Sequence, residues 1–546
     1  MRWTTACGRL RTARPAPFRL ALLRLAPPRL VLLGLAMLGT LEVASAATLR
    51  RGAYGEPESL VPRESGVASE QVILRDLFEG LSTHGPDGAV RPGSAESWEM
   101  SPDGRRYTFR LRPGLKWSDG QPLTAQDFAW GWRYSLEPAN AAARATRLYV
   151  IRGARAIHAG RDPSSRLGVA TPDARTLVVE LEYPLPSLPL LFAGEEGFPL
   201  PRHAIERHRA AWTRPGNHVG NGAFRLAERR ARGAILLQRN PHFHAAGEVA
   251  LDTVQYLPSD DLQSMVARFR AGSLEVNGWP GFQARQADAL RRELGEQVRV
   301  GPLQSVRYLR FNVAQAPFDD VRVRRALSLA VDREVLARRV LGGGERAALR
   351  AVPDGLAADR APADNPLAAG TQAARTAEAR ALLATPSIRA RLPSQIRLRV
   401  PSGNGEELCL AIAAMWTAAG APARPEQSEI KSMIADLRRG SFDVALTGAQ
   451  DTPATESYLE RFRPDSSYNT GRWENPAFVT ALDAALRLPD PAARAQGMLA
   501  AERVLMHDHA VVPLYQEVAR NLVARRVRGW VDNPGDIHLS RYLALQ

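Results

Sequence analysis

Cysteine is nearly absent from this chain of 546 residues, with only Cys7 and Cys409 present. Once an N-terminal segment carrying Cys7 is removed, one thiol is left and no internal disulfide can form, so stability has to come from burial. Lysine is just as scarce: Lys116 and Lys431 are the only two, and nearly all of the basic residues are arginine. The arginines are spread along the chain instead of clustering into a stripe, which argues against a nucleic-acid footprint. Beyond the first 46 residues no apolar run is long enough to cross a bilayer, and there is no internal repeat or long low-complexity tract. The G-x-S-x-G elbow, the H-E-x-x-H helix, the G-x-x-x-x-G-K-[ST] loop and paired-cysteine zinc spacing are all missing, which argues against the common hydrolase, nucleotide-binding and zinc classes without excluding rarer ones.

What is present begins with an export signal. Arg2, Arg9, Arg11, Arg14, Arg19, Arg24 and Arg29 form a basic leader, Leu30 to Leu41 an apolar run, and Ala44-Ser45-Ala46 a small-residue cleavage site. The apolar run is too short for a stable anchor, and no cysteine follows it to carry a lipid. Residues 1–46 are therefore expected to leave as a signal peptide, giving a freely soluble periplasmic protein. Its loss removes seven arginines and Glu42 and lowers the formal charge from +15 to about +9.

The remainder is too long for one hydrophobic core. Tyr107, Phe109 and Leu111 alternate with polar residues, as do Leu177, Val179 and Leu181, and Ile396, Leu398 and Val400; each set reads as a half-buried strand. Val323, Ala326, Leu327, Ala330 and Val331 recur at helical spacing, with Arg322, Arg324 and Arg325 on the other side and Asp332 placed to cap a following helix. Glu406 to Ala419 is a second helix stopped by Gly420, and 442–446 is the next strand, an order that invites a parallel crossover. Gly342 to Gly344 reads as a helix stop and 351–370 as a surface loop. The chain is α/β.

His242, His244 and Glu248, and separately His507-Asp508-His509, are the residues a metal site would have to use. A loop after Asn240-Pro241 and a solvated helix end are the structural alternatives. An exported metal-dependent hydrolase would depend on these groups, and a chaperone-like or adhesive role would rest on the basic surface.

Two stretches carry a resemblance: Leu115-Lys116-Trp117-Ser118-Asp119-Gly120-Gln121-Pro122-Leu123-Thr124-Ala125-Gln126-Asp127-Phe128, and Ala316-Pro317-Phe318-Asp319-Asp320-Val321-Arg322-Val323-Arg324-Arg325-Ala326-Leu327. With Gly55 to Leu60, Arg75 to Leu81, Gly220 to Phe224 and Arg239-Asn240-Pro241 following in order, the chain resembles the oligopeptide- and dipeptide-binding proteins of bacterial ABC importers, family 5 of the extracellular solute-binding proteins. The resemblance implies a two-lobed periplasmic binding protein (type II, Venus-flytrap) with an extra domain in the first lobe. Lobe I is expected at 47–82, 213–303 and 514–546, the extra domain at 83–212 and lobe II at 304–513.

The same resemblance implies a binder, not an enzyme, that takes short peptides and passes them to permease subunits as a monomer, without cofactor, metal or nucleic acid. Asp451 falls where the family meets the peptide amine. Backbone groups of Gly448, Ala449 and Gln450 on one lobe and of Gly66, Val67 and Ala68 on the other are expected as strand partners of the ligand. Tyr308, Asn277 and Trp279 are expected as pocket walls. Members that take longer peptides have an arginine where this chain has Leu446 and an acidic residue where it has Arg310, so Arg310 is either a grip for a carboxylate or part of a surface ion pair. Cell-wall peptides, metal chelates and opine-like compounds remain alternative ligands.

Overall fold

Two strands longer than most, Val298–Phe311 and Val511–Val523, run antiparallel through the middle of an 11-stranded mixed sheet. The computed structural model describes residues 47–64, 68–140, 142, 145–231, 233–278, 280–356, 365–401, 405–449 and 454–546. On one side of the long pair the sheet continues through Val444–Ala449, Ile396–Pro401 and Ala423–Ser428. On the other it continues through Val276–Asn277, Thr48–Tyr54, Thr253–Ser259, Ile235–Arg239 and Phe224–Arg229.

Each half of the sheet has its own apolar core. The first gathers buried residues from Leu49 to Tyr256 with Val276, Val523, Val527 and Leu543. The second gathers residues from Val306 to Leu514. The long strand Val298–Phe311 serves both halves: residues 298–302 pair with 518–522, whereas 306–311 also pair with 444–449. Between Pro302 and Val306 the register shifts. Pro302 has no N–H to give the ladder, and the extra residues Leu303, Gln304 and Ser305 bulge where the chain passes from one half to the other.

A separate antiparallel sheet of four strands, Ala95–Met100, Arg106–Leu111, Thr176–Glu180 and Val169–Ala170, packs Tyr107, Phe109, Leu177 and Val179 into the first core. The period-two pattern that marks these strands in sequence is the pattern of their burial. Trp117 and Phe128, from the signature stretch, are fully buried, and each such side chain contributes about 2–3 kcal/mol by leaving water.

Ile396–Pro401, the helix Glu406–Ala419 and Ala423–Ser428 form a parallel crossover, with Gly420 at φ 109° ending the helix; the strand expected next, Val444–Ala449, comes only after a further helix, Ile430–Arg439, and lies parallel to Ile396–Pro401 on its other edge. Gly342, at φ 64°, caps the helical stretch before it. Helix Val321–Ala330 is capped by Asp320, and Asp332 caps the turn that follows. One expectation fails here. Arg324 does not share the solvent face with Arg322 and Arg325; it is buried and donates to the carbonyls of Phe318, Asp319 and Asp508, because loop oxygens at this end of the helix need a partner.

Candidate ligand-binding cavity

A cavity of about 680 Å³ opens between the two halves of the sheet, within the usual range for small-molecule sites. One wall comes from the first strand (Arg51 to Tyr54) and from Ser69, Gln71, Val72 and Arg75 of the helix Ala68–Leu77. His84, Arg147, Leu190, Leu191, Glu195 and Glu196 extend it. The bulge residues Leu303, Gln304 and Ser305 form the back, Gly355 and Leu356 reach in from the second half, and Asn521, Trp530 and residues 534–538 close one end. A bulge re-aims backbone groups that regular pairing would use up, and here it delivers three residues to the cavity.

The polar groups at this end are held firmly. Asn521 Nδ2 donates to Asp536 Oδ1 at 2.8 Å, the His538 ring lies 2.9 Å from the same oxygen, and Trp530 stacks on His538 with centroids 3.6 Å apart. Arg51 Nη1 donates to the His538 carbonyl at 2.9 Å. The buried Asn521 Oδ1 and Ser69 Oγ have no hydrogen-bond partner among the described residues, which leaves both ready for a ligand group. His84 is drawn down to about 4 by burial and by the Arg75 charge, so it lines the cavity as a neutral imidazole.

Behind the opposite wall Arg63 is fully buried, at φ 68°. Its guanidinium donates to Ser135 Oγ and to the carbonyls of Gly131, Glu195 and Phe198, and its own N–H donates to the Glu195 carboxylate. Burial lowers Arg63 to about 10, so it remains charged at neutral pH.

At the bulge, Ser305 Oγ donates to Glu517 Oε2 at 2.5 Å, and Arg307 Nε meets Glu517 Oε1 at 3.0 Å. Arg307 in turn lies against Gly448, its partner across the ladder.

Of the residues singled out from sequence, Gly448 and Ala449 end the strand Val444–Ala449 and pair with Arg307 and Val306. Ala68 begins the helix Ala68–Leu77. Asn277 is buried beside Gly52, donates to the Gly281 carbonyl at 2.6 Å, and stands next to Gly278 on the cavity wall. Tyr308 is wholly inside the second core, 5.9 Å from the Phe462 ring. Arg310 is buried, donating to the carbonyl of Tyr468, to Thr470 Oγ1 and to the Tyr308 hydroxyl. Neither Tyr308 nor Arg310 lines the cavity, and among the described residues Arg310 makes no ion pair: its Nη1 and Nη2 go to carbonyl and hydroxyl oxygens. Gly66, Val67, Trp279, Gln450 and Asp451 lie outside the described residues.

The histidine constellations are dispersed. His244 joins Glu79 at 2.8 Å in a cluster completed by Arg541, while His242 stands beside Gly120. His509 is fully buried instead of sitting at a solvated helix end, and His507 is exposed. Among the described residues no group of three His, Cys, Asp or Glu side chains could hold a metal ion. The residues sequence reading missed, Ser305, Asn521, Trp530, Asp536 and His538, belong to segments with no motif of their own.

A family model described as bacterial extracellular solute-binding proteins, family 5 Middle, matches residues 89–470. The chain is 33% identical over 513 residues to the probable deoxycholate-binding periplasmic protein YgiS of Escherichia coli strain K12, covering 92% of this chain and 94% of that protein. It is 34% identical over 495 residues to the periplasmic oligopeptide-binding protein OppA of the same strain, covering 90% of each. Among solved structures, that of the Escherichia coli murein tripeptide binding protein MppA superposes with a TM-score of 0.80 at 31% identity, covering 92% of this chain and 99% of that one.

Proposed function

The chain belongs to family 5 of the bacterial extracellular solute-binding proteins, and from that premise we propose that it captures short peptides in the periplasm and delivers them to the permease of an ABC importer. The observation that carries this reading is the cavity between two separately cored halves, backed by the bulge at which the long strand passes between them. Two lobes joined through such a crossing can rock about it, and a ligand that contacts both shifts the equilibrium toward the closed form.

In this reading lobe I comprises 47–82, 213–303 and 514–546, the extra domain 83–212 and lobe II 304–513. The leader 1–46 is cleaved after Ala46, and the product is a soluble monomer without lipid, metal or catalytic activity. A binder of many peptides has to grip what they share, so the peptide adds as a strand between Gly448, Ala449 and Gln450 on one lobe and Gly66, Val67 and Ala68 on the other. Asp451 meets the peptide amine, since an amine enclosed without a partner would cost on the order of 3–5 kcal/mol.

Native mass spectrometry of protein purified from its export compartment tests this directly. A ladder of short peptides that disappears in Asp451→Ala, with micromolar or tighter binding on re-addition (about −8 kcal/mol or stronger), supports the proposal. Because one relative carries the name of a bile-salt binder, deoxycholate is included in the same titrations; saturable deoxycholate binding with no response to peptides overturns it.

A further inference from the structure

The two cores also meet away from the cavity. Tyr183 packs against both of them. Next to it, Ser187 Oγ donates to Glu456 Oε1 at 2.6 Å, and Tyr183 faces the Glu460 carboxyl. Pro184 and Pro489 approach each other around Gly104, where a Cβ would stand 2.9 and 3.8 Å from their Cβ atoms. One side of this contact immediately precedes the helix Leu188–Phe192, whose Leu190 and Leu191 line the cavity. The other side, the helix Thr455–Leu459 and the turn Glu460–Phe462, closely follows the strand that ends at Ala449. Thr455 Oγ1 of this helix donates to the carbonyl of Leu356 on the cavity wall, and the Tyr458 hydroxyl donates to the Val306 carbonyl of the crossing strand at 3.5 Å, so the contact joins the two halves beside the cavity.

We propose that this contact is a latch between the lobes whose grip strengthens when Glu460 takes up a proton, so that acidity tightens ligand binding. The inference rests on the two-lobed capture proposed above. The groups facing Glu460 are Glu456, Arg463, Arg494 and Tyr183. Burial raises the Glu460 carboxyl most, and the Glu456 carboxylate adds to it. Arg463 opposes the rise but is shared with Asp483 at 2.5 Å and Asp465 at 3.4 Å. Arg494 opposes it too, and is shared with Glu456 at 3.6 Å and the Leu486 carbonyl at 2.7 Å. The balance lifts Glu460 to about 7.

Opening the lobes lifts the Tyr183 loop off this carboxyl and lets water in, moving it from about 7 toward its ordinary value of 4.5 while Glu456, Arg463 and Arg494 stay beside it. The closed form therefore binds more protons between roughly pH 4.5 and pH 7, so closure gains as pH falls through that window and loses the gain as pH rises through 7. From pH 7.5 to pH 6 ligand affinity rises by up to roughly tenfold.

Isothermal titration of the mature protein with trialanine at pH 6 and pH 7.5 tests the latch. Wild type is expected to bind up to roughly tenfold tighter at pH 6. Glu460→Gln is expected to lose that dependence and to bind tighter than wild type at pH 7.5. Ser187→Ala should weaken binding at both pH values without changing their ratio. A wild-type affinity indifferent to pH, or a Glu460→Gln protein that keeps the wild-type ratio, overturns the proposal. If trialanine does not bind at all, the peptide reading has failed and the latch is judged separately, from the closed fraction of ligand-free protein carrying one fluorophore on each lobe. A closed fraction that rises at pH 6 in wild type but not in Glu460→Gln upholds it, and one that does not rise overturns it.

Discussion

The side chain of Arg307 lies so close over Gly448 that a Cβ at that glycine would come 2.9 Å from Arg307 Cδ. Because Glu517 holds the far end of Arg307 at 3.0 Å and itself accepts from Ser305 of the bulge, three neighbouring strands are tied together where the sheet meets the cavity.

Gly448→Ala should consequently be costly although the backbone there is ordinary strand. Pushing Arg307 aside strains the Glu517 pair, with an expected loss of about 1–3 kcal/mol. Gly448→Val should cost more than Gly448→Ala. Urea denaturation of the three proteins measures the order, and an alanine variant as stable as wild type would show that Arg307 gives way freely.

Arg63 gives a second expectation. Replacing it with methionine keeps much of the volume but takes the guanidinium away from three carbonyls in a dry setting, leaving Gly131 with the Ser135 hydroxyl, Glu195 with the Phe198 N–H, and the Phe198 carbonyl without the donor it had. A loss of about 3 kcal/mol or more is expected. The readout is the thermal midpoint compared with Arg91→Met, an exposed control that should leave it unchanged.

Glu502 and Arg350 form an ion pair beside the second core, with side chains only 2% and 4% exposed. Glu502→Ala alone should cost on the order of 3–5 kcal/mol, because the remaining guanidinium is buried. The double variant Arg350→Met/Glu502→Leu should recover part of that loss. A double-mutant cycle by chemical denaturation checks it, and additive losses would contradict the pairing.

His218 is enclosed between Trp212 and Phe78, and neither ring nitrogen has a partner among the described residues. Burial, and then the Arg229 charge, hold it down to about 4. The unfolded chain, titrating near 6.5, binds the proton more readily, so stability falls as pH drops from about 6.5 to about 4, by on the order of 3 kcal/mol for this group. His218→Phe should flatten that part of the stability profile, measured as urea midpoints at pH 7, 5.5 and 4.5. An unchanged slope would assign the acid sensitivity elsewhere, His509 being the next group to replace, since burial draws it down to about 3.

What the sequence determined by itself was local. Alternation along 107–111, 177–181 and 396–400 specified strands, because a strand that buries one face must place apolar side chains at every second residue. Asp332, Gly342 and Gly420 marked helix ends through capping chemistry that involves only neighbouring residues. The ordered signature around Trp117 and Phe318 was enough to point to the family.

Tertiary structure alone decided the surroundings of single side chains. Tyr308 enters the second core and Arg310 is taken up by Tyr468, Thr470 and Tyr308, partners that lie up to 160 residues away. Asn521, Asp536 and His538 reach the cavity because a strand and the C-terminal segment fold back beside Thr48–Tyr54, and none of them has a local pattern that marks a ligand site. The latch is of the same kind. Glu456 and Glu460 are ordinary helix and turn carboxylates until a loop more than 260 residues earlier covers them, and the ionisation of a group depends on what closes over it, which no neighbouring residue in the chain encodes.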